Sequence, residues 1–239
     1  MADRPILFSA PMIRALLAGS KTQTRRVMKP QPRGTPWFWD GDEVDPVPGW
    51  FDGYETGREP CGAATREVND PIKLRIGVGD RLWVKETHAI VPRTAYRISE
   101  GVQQTLRTED NHDAAVYAAE WDRSKPGRWR PSIHMPRWAS RITLIVTDVR
   151  VERLQDISEA DAIAEGIERH KSGWMPYSTA FFDGDGVTPA NYHLDPRESY
   201  RQLWNLINGA GAWESNPWVV AYTFTVHHGN IDQLTEVAA

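Results

Sequence analysis

Cysteine is almost missing from this chain: Cys61 stands alone among 239 residues. A single thiol excludes an intramolecular disulfide and fits a reducing compartment. Long apolar runs are missing as well, and none approaches the roughly 18 residues that cross a bilayer. The stretch from Met1 to Phe8 has neither the apolar region nor the small-residue cleavage site of a secretory signal. The expectation is a cytoplasmic protein with no membrane partner. Phosphate-cradling GxxxxGKS/T and GxGxxG loops are absent, and so is the GxSxG elbow of serine hydrolases. The histidines (His88, His112, His134, His170, His193, His227, His228) lack ligand spacing and have no cysteine pair beside them. No metal and no cofactor are therefore expected. The acidic stretch DGDG at 183–186 lacks the distal glutamate of a calcium loop and reads as a turn.

The bulk composition is ordinary, 25% charged and 40% hydrophobic, enough to bury a core. Two features depart from it. Eleven tryptophans are present, many in Gly/Pro-rich or basic surroundings rather than periodic apolar runs. Charge is also segregated: residues 1–33 carry a local +6 and 121–153 a local +5, against −6 over 40–59. The net charge of −4 argues against general nucleic-acid sequestration, yet two basic segments are able to build one basic face. The densest basic stretch holds Lys21, Arg25, Arg26 and Lys29.

Ser9-Ala-Pro11 signals a helix start, Met12, Ile13, Leu16 and Leu17 fall at helical spacing, and Gly19 ends the helix. Thr22 to Val27 then reads as a strand. A turn at Gly79-Asp80 precedes a strand over Arg81–Glu86, residues 114–120 read as another, and 92–113 read as loop. The clearest strand signal is 139–154, with branched apolars at Ile142, Leu144, Val146, Val149 and Val151. Helices follow over 156–167, capped by Ser158 with Asp161 in the capping-box position, and from Asp195 to Ile207. The second of these presents Tyr200, Leu203, Trp204 and Ile207 on one face. A last strand covers 216–226, and the tail from Asn230 reads as frayed. Without alternating βαβ units, the order implies an α+β fold with a small mixed or antiparallel barrel. It also implies one domain over 1–239, interrupted by insertions at about 30–75, 88–130 and 168–196.

The order of four pieces resembles the ASCH domain of the PUA-like superfamily: LLAGSKTQTRR, GVGDRLWV, a strand running into LQDISEADAIAEGI, and a terminal PWVVAYTFTV. The family signature after the first helix, G-x-K-x-x-E/T-x-R, is matched here by Gly19, Lys21, Thr24 and Arg26. Within the family the pattern is similar to the small bacterial N(4)-acetylcytidine amidohydrolases. The long Trp-rich form is similar to a group of phage and prophage ASCH proteins. The matched pieces cover about 6–29, 76–86, 139–168 and 197–226, less than half the chain, and the three insertions are the departures.

The resemblance implies a PUA-like β-barrel with flanking helices, associated with RNA and modified nucleosides. Carried over by motif position, Lys21 is the base, Thr24 the nucleophile and Glu165 the proton donor of an amide hydrolysis on an N(4)-acylated cytosine. For a lysine to act as a base near neutral pH its pKa has to fall about 3 units, which costs about 4–5 kcal/mol. Burial and the neighbouring Arg25 and Arg26 push that way, and Glu165 pushes back unless the two share a proton. Arg26, Trp83, His134 and Trp138 are the expected substrate-binding residues. A different class of function fits the same features: a non-catalytic module that binds RNA or a modified base, the basic loop holding phosphate and a tryptophan stacking on a base. A ribonuclease using Lys21 and Glu165 is the third reading. A modified nucleoside, RNA or other nucleic acid is thus the expected partner.

Overall fold

Strand β1 (Asp3–Leu7) leads into helix α1 (Ala10–Leu17), whose Pro11 occupies the first turn, where a missing N–H costs nothing. The structure, a computed structural model, describes residues 2–32, 74–110, 112–176 and 192–234. Strand β2 (Gln23–Val27) follows α1 directly, and β3 (Arg81–Lys85) resumes after the first insertion. Most of the expected 30–75 insertion, the 183–186 turn, and Trp37, Trp39 and Trp50 lie outside the described residues.

Strands β4 (His88–Pro92), β5 (Thr105–Leu106) and β6 (Asp113–Tyr117) come next, then the long β7 (Ile142–Arg153). Helix α2 (Glu159–Ala164), the hairpin β8 (Glu168–His170) and β9 (Gly173–Met175), helix α3 (Pro196–Asn208) and strand β10 (Trp218–His228) complete the order. The fold is α+β. Five strands hydrogen-bond in the order β1-β3-β7-β10-β2, antiparallel apart from the parallel β1–β3 pair. Long strands β7 and β10 form its spine, with a register shift at Thr223/Phe224.

The alternation of these strands separates two apolar layers. Ile6, Leu82, Val84, Leu144, Val146, Val220 and Phe224 pack with Ile13 and Leu16 of α1 on one side. Val219, one residue from Val220, instead joins Ala162 of α2 and Tyr200, Leu203 and Trp204 of α3. Helices therefore cover both sides of β10, and β2 runs beside it.

Three expectations change. The loop expected over 92–113 gives way to strand at β5 and at its two ends, where the 88–130 segment forms a second antiparallel sheet, β4-β6-β5, with its own core of Ala89, Val91, Ala114 and Val116. Buried Arg141, paired with Glu86 at 2.8 and 3.0 Å, fastens the segment by donating to Glu120 at 2.8 Å and to Gln103. The tail from Asn230 is not frayed at its start. The Asn230 amide donates to the carbonyls of Arg137, Trp138 and Ser140, and Ile231 is fully buried. Ile207, expected on the buried face of α3, is half exposed.

Candidate active site

Two helix ends build the site. At the end of α1, Gly19 takes a φ of +73°, which glycine adopts without a side-chain penalty. Gly19 N–H donates to Leu16 and Ser20 N–H to Ala15, a paired closure of the last turn. Gly166, with a φ of +101°, closes α2 in the same way through Gly166 N–H to Ile163 and Ile167 N–H to Ala162. The turn after α1 delivers Lys21, and Glu165 is the last residue before the turn that ends α2. The Thr22 N–H then bonds the Ala164 carbonyl at 2.8 Å, joining the two ends.

Lys21 is fully buried, an unusual place for an ammonium group. Its Nζ donates to Glu165 Oε2 at 2.6 Å and to the Glu165 carbonyl at 2.8 Å. Burial holds its pKa below the ordinary lysine range, the charge and hydrogen bond of Glu165 oppose that shift, and Arg26 and then Arg25 reinforce it. This is the balance of forces the sequence anticipates.

Arg25, also buried, is the centre of the surrounding charges. Its Nε and one terminal nitrogen donate to Glu152 Oε1 at 2.9 and 2.6 Å. The second terminal nitrogen donates to Gln23 Oε1 at 2.5 Å and lies 3.4 Å from Glu165 Oε1. Asp161 sits 3.3 Å from Arg25, and it also accepts from Arg150 at 2.7 Å and from Gln23 at 3.0 Å. Ser158 Oγ accepts the Asp161 N–H, as a capping box requires, but the Asp161 carboxylate faces this network. Although burial opposes it, the arginine and amide contacts leave the Asp161 carboxyl far below its usual range. Burial likewise disfavours the Arg25 cation, yet Glu165, Tyr200 and Glu152 hold its pKa up.

A cavity of about 480 Å³ opens against this network. Thr24, Arg25 and Glu165 form its floor, and Arg26 and Lys29 stand on its lining. The wall comes from α3: Tyr200, Leu203, Trp204 and the half-exposed Ile207. The exposure of Ile207 is explained by this position. Tyr200 Oη reaches Glu165 Oε1 at 3.4 Å. A polar floor with an aliphatic and aromatic wall, at this volume, suits a flat heterocycle with a few hydrogen-bonding groups.

Lys21, Thr24, Arg26 and Glu165 are thus brought together from two sequence regions. The other three expected residues are not. Trp83 projects from the face of β3 opposite Leu82 and Val84, with Lys85 Nζ 5.2 Å from its ring. His134 is exposed in a short 3₁₀ turn, Ser132–His134. Trp138 packs against the Tyr117, Met135 and Ala139 cluster, under the Arg107 guanidinium. None of them lines the 480 Å³ cavity. A larger cavity, about 590 Å³, lies beside Gln104, Arg107 and His228 and shares no residue with the Lys21 site. At the smaller cavity a buried carboxylate on the lining, Glu165, is paired with the buried amine of Lys21, which does not itself reach the lining.

Sequence reading passes over the wall residues and the acids Glu152 and Asp161 as site components. The amphipathic face of α3 names Tyr200 and Trp204, but gives no sign that they face a cavity. Among the described residues no cluster of three or more His, Cys, Asp or Glu is arranged to hold a metal ion. Among them, too, no helix is long and apolar enough to cross a membrane. In comparison with known proteins, no family model matches the chain, and no curated protein and no solved structure is significantly similar to it.

Proposed function

We propose that this chain is an amidohydrolase acting on an N(4)-acylated cytosine nucleoside, built on an ASCH-type, PUA-like barrel. The observation that carries the reading is the buried Lys21 Nζ, 2.6 Å from Glu165 Oε2, at a cavity whose floor includes Thr24. A buried amine with a lowered pKa is what a lysine base requires. The barrel is supported by the approach of the two ends of the strand order: Arg26 of β2 donates to the Leu7 carbonyl of β1 at 2.8 Å and lies over the Phe8 ring.

In this mechanism the neutral Lys21 amine takes the Thr24 hydroxyl proton as Thr24 Oγ1 attacks the acyl carbon. Arg26 donates to the developing oxyanion. Collapse of the tetrahedral species breaks the C–N bond, and the exocyclic nitrogen leaves as the cytosine amine on receiving a proton from the Lys21–Glu165 pair. Water then cleaves the acyl–Thr24 ester by the same proton relay run in reverse, releasing the carboxylic acid. The stiff χ1 of threonine keeps the nucleophile oriented at small entropic cost.

A second reading has its own support. Lys21 also donates to the Glu165 carbonyl, at the end of α2, as a purely structural helix cap does. In that case the cavity holds a modified base without chemistry. Among the described residues no histidine lines the cavity, which leaves the ribonuclease reading third.

The test is incubation of the purified protein with N(4)-acetylcytidine and related 4-N-acylated cytosines, following cytidine release by absorbance. The expected result is turnover by the wild type that disappears in folded Lys21→Ala, Thr24→Ala and Glu165→Ala variants. Binding of the nucleoside with no turnover on any acyl group would replace the hydrolase with the binding module.

A further inference from the structure

Arg25 falls between Thr24 and Arg26 in the sequence, at a position that the G-x-K-x-x-E/T-x-R pattern leaves open. In the structure its guanidinium is wholly buried and touches acceptors on three elements: Gln23 on its own strand, Glu152 on β7, and Asp161 and Glu165 of the α2 segment. A guanidinium buried this completely is tolerated only when its donors are spent on good acceptors. Nε and both terminal nitrogens are so engaged. They are therefore committed to the protein and are not offered to a ligand.

The charges around it pair off in an instructive way. Arg25 and Arg150 share Glu152 and Asp161, and Arg150 also meets the more exposed Asp148 at 3.2 Å. What remains is the Lys21–Glu165 pair, whose carboxylate is divided: Oε2 goes to Lys21 and Oε1 faces Arg25 and Tyr200. With Arg25 and Tyr200 each 3.4 Å from Oε1 and Lys21 2.6 Å from Oε2, the carboxylate has polar partners on both sides, an arrangement that favours Oε2 facing the lysine. Arg25 also places a permanent positive charge near the Lys21 amine, which favours the neutral base.

We infer that Arg25 is a positioning residue: it clamps Glu165 Oε1 so that Oε2 is presented to Lys21, and its charge tunes the amine for proton transfer. The inference rests on the hydrolase reading for its consequence in turnover, but its effect on Lys21 is measurable without any substrate. A residue that only fastens β2 to α2 would stabilise the fold and leave Lys21 titration unmoved.

The experiment compares wild type, Arg25→Lys and Arg25→Gln. Lysine labelled with carbon-13 at the ε position reports Lys21 titration by NMR, the resonance being assigned by its loss in Lys21→Met. Thermal unfolding is followed on the same samples. In Arg25→Gln the Lys21 titration moves to higher pH. In Arg25→Lys, which keeps the charge but not the fork, it stays near wild type. In turnover of the acylated cytosine, both variants lose about 100-fold in kcat, the scale of a small misplacement of reacting groups, with KM little changed. The ascending limb of the pH profile rises only for Arg25→Gln. Should Arg25→Gln fail to fold, Arg25→Lys still separates the cases through its kcat loss at unchanged titration. Variants that are less stable, with Lys21 titration, kcat and pH limb all unmoved in the folded protein, overturn the proposal. A wild type with no turnover, whose Lys21 titration nonetheless moves in Arg25→Gln, sinks the hydrolase reading alone.

Discussion

The Thr22 N–H donates to the Ala164 carbonyl at 2.8 Å, and through that one bond the end of α1 and the end of α2 become neighbours. Lys21 lies one residue before the donor and Glu165 one residue after the acceptor. Two residues that are 144 positions apart in the chain thus meet at 2.6 Å. Because both partners sit at helix-terminal turns, the backbone that holds them is fixed by the closing hydrogen bonds of those turns.

The first prediction concerns that turn. Space is not limiting at Gly19, where a Cβ would meet nothing within 4 Å, so Gly19→Ala acts through the backbone alone. Holding alanine in the left-handed region at a φ of +73° costs about 1–2 kcal/mol, and Gly19→Asn less. Thermal unfolding of the two variants checks the order. A loss of turnover in Gly19→Ala well beyond its loss of folded protein would locate the effect in Lys21 placement.

Breaking the Lys21–Glu165 pair has unequal costs on its two sides. Glu165→Gln takes the carboxylate away from a buried ammonium that still donates to the main-chain carbonyl of residue 165, and removal of one member of a buried pair costs about 3–5 kcal/mol. Lys21→Met removes the cation and leaves Glu165 facing Arg25 and Tyr200, a smaller loss. Urea denaturation at neutral pH should rank the variants in that order. The Glu165→Gln deficit should also shrink as pH rises, because Lys21 can then give up its proton. A deficit that is flat with pH up to about 10 would mean that the folded variant and the folded wild type carry the same number of protons at this site over that range.

Much of the scaffold was legible because its elements obey simple periods. The β-branched alternation over 139–154 becomes β7, the spacing of Ile13 and Leu16 becomes the buried stripe of α1, and α3 buries Tyr200, Leu203 and Trp204 as its pattern requires. Lys21, Thr24 and Glu165 were reachable through the order of motifs, not through any local property. What the sequence could not show are pairings across long separations. Arg25 reads as one more basic residue in a basic loop, since its acceptors Glu152, Asp161 and Glu165 are over a hundred residues away. The Asn230 amide is spent on carbonyls 90 to 93 residues earlier, so a polar tail is pinned down. Trp83 is the converse: alternation with Leu82 and Val84 already turns it away from the main core, and a stacking role gave it a destination the strand does not reach.

The pH dependence of turnover follows from the forces on Lys21. Its folded pKa lies below the ordinary value of 10.5, so the neutral base appears, and activity rises, at a pH below that of a free lysine. Arg26 is the largest cationic contributor to the lowering. Arg26→Gln therefore moves the ascending limb of kcat/KM to higher pH, in addition to any loss of oxyanion contact. The measurement is the limb's midpoint in wild type and variant. A limb that stays in place would assign it to a group other than Lys21.

The last prediction lies in the second sheet, away from the cavity. His88 is fully buried on β4, and its Nδ1 lies 3.2 Å from the Glu86 carbonyl, where a neutral ring donates. Burial lowers its pKa below 6.5, the Glu86 carbonyl opposes this, and Arg130, Lys85 and His134 lower it further. As pH falls past 6.5 the unfolded chain gains a proton at His88 that the folded chain does not take up, so stability declines until the folded pKa is passed. The expected result is a lower Tm at pH 5 than at pH 7, with a smaller difference in His88→Gln, even though the variant is less stable throughout. Other groups titrate over the same interval, Glu86 among them, but they are common to both proteins, and the comparison isolates the imidazole. An unchanged difference between the two pH values in His88→Gln would show that the ring accepts its proton in the folded state at the ordinary pH, against the burial that surrounds it.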